Sequence, residues 1–205
     1  MFFRICIACI VLAACYATYE IVKVRNYWHF LQTPPADFLV LQQGNGEGPT
    51  IVEFMNYDCE YCKDTHLLMM DYAAANPNVR LIVRPVPYAV GDAEMAAEML
   101  LAAGLQGKFA DMDKAFTEYK YSLRGPLAEQ FFRETAALYD VDFDKMMREA
   151  EENTVQEMAK NNASASIRAN LKITPAFMIN RTIYQQDKPL TLADLTSMVS
   201  QENNK

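Results

Sequence analysis

Cysteine is confined to the first 62 residues of this 205-residue chain, at Cys6, Cys9, Cys15, Cys59 and Cys62. That excludes a disulfide-stapled scaffold and leaves the body of the protein a single cysteine pair. Glycine is also scarce, at 7 residues. With 51% hydrophobic and 22% charged residues, the chain is neither collagen-like nor disordered. A basic excess is absent, since 19 Lys and Arg stand against 26 Asp and Glu for a net charge of −7. No footprint for nucleic acid exists without one. Internal repeats and low-complexity tracts are missing as well. The length is too small for two independent cores, so one domain with a short addition is expected.

The addition is at the N-terminus. Met1-Phe2-Phe3-Arg4 precedes an apolar run from Ile5 to Thr18, the layout of a secretory signal or membrane anchor. The run is short against the roughly 20 apolar residues of a spanning helix. Leu12-Ala13-Ala14-Cys15 resembles the lipobox of bacterial lipoproteins, in which the cysteine is lipidated. An uncleaved anchor and a lipid at Cys15 both stand at this point. The positive charges do not separate them, because Arg4 lies on one side and Lys23 and Arg25 on the other. Either places the body outside the cytoplasm, in an oxidising compartment.

Residues 1–23 are read as this signal or anchor and 24–36 as a stalk, in which Asn26 to Leu31 is a short helical segment stopped by Thr33-Pro34-Pro35. Phe38 to Leu41 is a short strand candidate, and Gly44 to Pro49 a turn-rich link. Thr50 to Met55 is β-branched and almost wholly apolar, as a central strand should be. Helical spacing runs from Cys59 to about Ala75, with Leu67, Leu68, Met70 and Tyr72 available to pack. Val79 to Arg84 is the next strand, closed by Pro85 and Pro87. From Gly91 to about Asn170 the composition is helical. Pro175 to Ile179 and Thr182 to Tyr184 are paired strands, and Leu190 to Val199 a last helix capped by Thr191, before a polar tail at 201–205. The order reads as a thioredoxin-like α/β fold over residues 37–200, with a large helical insertion at about 91–170 between its two halves.

Cys59-Glu60-Tyr61-Cys62 sits where the buried strand hands over to a helix. Residues three apart share a helix face, so the two sulfurs can bond across one turn. At the first turn the N–H groups are unpaired and the dipole favours a negative charge, which makes Cys59 the thiolate and nucleophile and Cys62 the resolving thiol. A zinc site needs four ligands, and His66 alone lies near. Haem attachment needs a histidine after Cys62, where Lys63 stands. A structural disulfide closing so small a loop adds little stability. The redox dithiol remains, and it needs no cofactor beyond its own sulfurs. His66 itself reads as a surface or packing residue. The methionines Met69, Met70, Met95, Met99, Met112, Met146 and Met147 read as core and peptide-groove residues.

The segment Val52 to Lys63 resembles the active site of the DsbA-like thiol–disulfide oxidoreductases, and Ile173-Thr174-Pro175-Ala176-Phe177 resembles their cis-proline loop. The resemblance covers about residues 37–200. It implies that Thr174 and Pro175 face the cysteine pair and help bind substrate peptide. It also implies that Glu53 is a buried acid that exchanges protons beneath the cysteines. The implied role is disulfide exchange with protein substrates in the bacterial envelope, foremost as a dithiol oxidase recharged by an oxidising, DsbB-like membrane partner. A reductase or isomerase with a reducing partner, and a non-catalytic binding module, are the alternatives. Glu60 departs from the family, which commonly has proline there. Its carboxylate should raise the Cys59 pKa and make the disulfide less oxidising.

Overall fold

A computed structural model describes residues 2–86, 92–123 and 125–203. Pro87, read above as closing a strand, and Gly91, read as opening the helical stretch, lie outside that range, as does the end of the polar tail. Two compact units result, residues 1–33 and 34–205. The first holds one helix, α1 (Phe2–Gln32), unbroken through most of the stretch read as a stalk. Among the described residues no helix is long and apolar enough to cross a membrane.

The second unit is a five-stranded mixed sheet with helices on both faces. A 3-10 turn at Asp37–Leu39 leads into β1 (Val40–Gln42), so the expected strand begins two residues late. Then come β2 (Thr50–Met55), α2 (Glu60–Ala75), β3 (Arg80–Pro85), five helices, β4 (Ala176–Ile179), β5 (Thr182–Gln185) and α8 (Leu192–Asn203). The five are α3 (Asp92–Leu105), α4 (Phe109–Glu118), α5 (Gly125–Leu138), α6 (Phe143–Glu151) and α7 (Asn153–Arg168). The thioredoxin-like architecture with its helical insertion is what the sequence order implied. Thr191 caps α8 as expected, its Oγ1 accepting from the Asp194 N–H at 3.2 Å.

The strand order is β1-β3-β2-β4-β5. β2 runs parallel to β3 and antiparallel to β4, with Glu53 opposite Val83 on one side and Phe177 on the other. Buried on both faces, β2 is apolar apart from that glutamate and the half-buried Thr50 at its start, which suits a central strand. On one face Ile51, Leu81, Phe177 and Ile179 pack with Met69 and Ala73 of α2 and with Leu195 and Val199 of α8. A second core fills the insertion, where Met99, Met112, Phe116, Phe132 and Met146 are fully buried. The methionines therefore serve mainly as core, except Met95, which is 40% exposed. Strand alternation puts Arg84 on the face opposite Val83. There its Nη1 donates to Asn161 and Asn162 of α7 at 3.0 Å each, and burial lowers the guanidinium to about 10.

Because β2 and β4 are antiparallel, the C-terminal end of one meets the start of the other. Phe54 lies opposite Ala176. The turn after β2 and the loop before β4 therefore share one edge of the sheet, although Cys59 and Thr174 are 115 residues apart.

Candidate active site

Cys59 is the N-cap of α2, with extended backbone (φ −102°, ψ 114°) and its N–H bonded to the Asn56 carbonyl at 3.1 Å. Its Sγ accepts from the N–H of Cys62 at 3.2 Å, a donor shared with the Cys59 carbonyl at 3.1 Å. The two cysteines are joined as a disulfide with Cα atoms 5.2 Å apart, Cys59 half-buried and Cys62 1% exposed. The sulfur that faces outward is thus the one that an N-terminal N–H stabilises, and the inner sulfur belongs to the insertion core.

The Thr174–Pro175 peptide bond is cis, the isomer the sequence left open. Thr174 Oγ1 donates to Cys59 Sγ at 3.5 Å, which brings the proline loop onto the redox turn. Ile173 and Tyr61 are exposed on either side of the pair, at 45% and 47%. Glu60 is exposed on the first turn of α2 and Cys15 exposed on α1. The insertion supplies the other wall. Asp58 Oδ1 accepts from Ser122 Oγ at 2.8 Å and from the Leu123 N–H at 3.2 Å. Lys63 Nζ donates to the Tyr119 carbonyl at 2.7 Å, and burial lowers its amine despite the pull of Asp58. A cleft of about 310 Å³ opens between these segments, with Glu60 and Lys120 on its walls.

On the buried side of α2, one helical turn past Cys62, lies a cluster the sequence did not bring together. Glu53 is 2% exposed, and its Oε2 is 2.6 Å from His66 Nδ1. His66 Nε2 is 3.0 Å from Asp113 Oδ2 of α4, and the Tyr57 hydroxyl donates to Asp113 Oδ1. His66 is 1% exposed, which corrects the surface half of its reading. Burial disfavours its charged form, but the Asp113 and Glu53 carboxylates outweigh that and raise its pKa well above the usual histidine range. Burial first, then Asp113, raises the Tyr57 phenol. The buried residues of α2 are Cys62, Lys63, Thr65, His66, Met69 and Ala73, while Leu67, Leu68, Met70 and Tyr72 are only half-buried. Counting apolar residues picked the flanks because the central stripe holds polar side chains satisfied by partners. Two signals were available: His66 is four residues after Cys62 on one face, and Asp113 interrupts the apolar stripe Phe109, Met112, Phe116 of α4.

A thioredoxin family model matches residues 41–201. The chain belongs to the thioredoxin family. Family and cysteine pair together make it a thiol–disulfide oxidoreductase. Among solved structures it is similar to a thioredoxin-like oxidoreductase from Silicibacter pomeroyi, at 25% identity and TM-score 0.73, covering 86% of this chain and 96% of that one. The catalytic domain of Proteus mirabilis ScsC shares the fold at 18% identity and TM-score 0.71, covering 89% and 98%. DsbA from Xylella fastidiosa shares it at 19% and 0.65, covering 85% and 92%. No curated protein matches the chain.

Proposed function

We propose that the protein is a membrane-tethered dithiol oxidase of the bacterial envelope, acting on protein thiols. A substrate thiolate attacks Cys59, the Cys59–Cys62 bond breaks, and Cys62 leaves as a thiolate that takes up a proton. A second substrate thiol then attacks the mixed disulfide and departs with the new substrate disulfide, leaving two electrons on the cysteine pair. An oxidising membrane partner accepts those electrons. Thr174 and Pro175 hold the substrate peptide beside Cys59, and Glu53 is the group that exchanges the proton with Cys62. The tether is the N-terminal segment, as an uncleaved anchor or through a lipid on Cys15. The periplasmic thioredoxin-like protein of Salmonella enterica, of the same fold, supports the envelope.

The observation that carries the oxidase direction is the pair of donors on Cys59 Sγ, the Cys62 N–H and the Thr174 hydroxyl. Both stabilise a thiolate, hence the reduced form, and a stabilised reduced form makes the disulfide oxidising. Equilibration with glutathione tests this. The potential is expected nearer the roughly −120 mV of DsbA than the roughly −270 mV of thioredoxin. A value at the thioredoxin end would make the protein a reductase. No catalysis of insulin reduction by dithiothreitol would leave a binding module.

A further inference from the structure

Glu53 has no cation of its own strand or sheet neighbours beside it, since β3 and β4 place Val83 and Phe177 opposite. A carboxylate that deeply buried needs a counter-charge or it takes up a proton, and a protonated acid cannot take a further proton from a thiol. The counter-charge is on α2. His66 lies one helical turn beyond Cys62, on the same face, with Nδ1 2.6 Å from the Glu53 carboxylate. Its second nitrogen is held by Asp113, which is itself fixed by the Tyr57 hydroxyl. With a carboxylate at each nitrogen, the ring has an acceptor for both N–H protons, and only the imidazolium carries both.

We propose that His66, oriented by Asp113 of the helical insertion, is the positioning residue that keeps Glu53 ionised as the proton acceptor for Cys62. The inference rests on the proton exchange proposed above for Glu53. When Cys62 resolves a mixed disulfide, its thiol proton passes to the Glu53 carboxylate. The Cys62 thiolate attacks Cys59 Sγ, the internal disulfide forms, and the substrate leaves as a thiolate. In the oxidising direction the same proton returns to Cys62 as it departs from Cys59. The carboxylates on either side raise the histidine pKa, which favours the charged ring. The charged and titratable groups facing it are Glu53 from β2, Asp113 from α4, Tyr57 from the turn after β2 and Cys62 from its own helix.

The test is the rate at which Cys62 displaces glutathione from a Cys59–glutathione mixed disulfide, followed against pH in the full chain. In H66Q the midpoint of the profile should move up by about one pH unit, a roughly tenfold slower rate below it, with the wild-type rate regained above. E53Q should be slow at every pH, and H66Q should add nothing in the E53Q background. An H66Q midpoint identical to wild type, with E53Q slow, would reduce His66 to packing. An E53Q rate equal to wild type would instead overturn the role of Glu53 itself. Should H66Q not fold, the ring nitrogen chemical shifts of His66 in the wild type decide. Imidazolium shifts at pH 7 support the proposal, and a neutral ring overturns it.

Discussion

At the scale of single residues, Glu60 is where this chain leaves its apparent relatives. It is exposed on the first turn of α2, one residue from Cys59. The helix end welcomes its charge, but a thiolate nearby does not, and solvent screening cuts the repulsion severalfold. Changing Glu60 to glutamine should therefore lower the Cys59 pKa by about half a unit and make the disulfide a stronger oxidant. Ultraviolet absorbance of the thiolate, titrated in both proteins, reads this directly. A glutamine variant with an unchanged or higher pKa would mean the carboxylate is electrically silent where it stands. Its surroundings hold both signs, since Lys63, Lys120, Asp58 and Asp64 line the same cleft. That balance bounds how far one glutamate can act.

At the scale of elements, the link from β1 to β2 shows a constraint that turn chemistry alone does not contain. Gly48 was read as one of several turn residues. In the structure a Cβ there would lie 2.3 Å from the Asn78 backbone carbonyl oxygen, in the turn that precedes β3. Backbone cannot step aside as a side-chain tip can, so Gly48→Ala should cost about 1–3 kcal/mol. Urea unfolding at equilibrium measures it, and a loss below a few tenths of a kcal/mol would show the two turns free to separate. The same contrast marks what was legible in the sequence. Thr50 to Met55 was placed to the residue because a central strand announces itself by continuous apolar, β-branched composition. Cys59 and Cys62 were legible because their spacing is chemistry in itself, and Pro175 because it followed them in a known order. The link between His66 and Asp113 was not, since the two are 47 residues apart and only the packing of α4 on α2 joins them. The cis isomer of Pro175 was likewise a matter of tertiary setting.

At the scale of the whole molecule, the buried cluster ties stability to pH. The His66 pKa in the fold lies above its unfolded value of about 6.5. The native state thus holds a proton that the unfolded chain has released. Its contribution is complete below about pH 6.5 and is lost as pH rises through the folded value, at up to about 1.4 kcal/mol per pH unit. Tyr57 acts in the same sense further up, because its raised phenol resists an ionisation that the unfolded chain undergoes near pH 10. Denaturant unfolding between pH 6 and 9 should show wild-type stability declining more steeply than that of H66Q. Parallel declines would place the protonated state elsewhere.

β3 ends, and β4 begins, at the edge of the sheet that carries the cysteines. The insertion therefore leaves and rejoins the sheet beside the redox turn and reaches back to it through Asp58, Lys63 and His66. For the history of such a protein this separates two traits that share one site. Under the roles proposed above, substitutions along α4 adjust how the dithiol handles protons, while the cysteines and the proline loop stay as they were. Lineages can in this way diverge in redox temperament without renegotiating which proteins they touch.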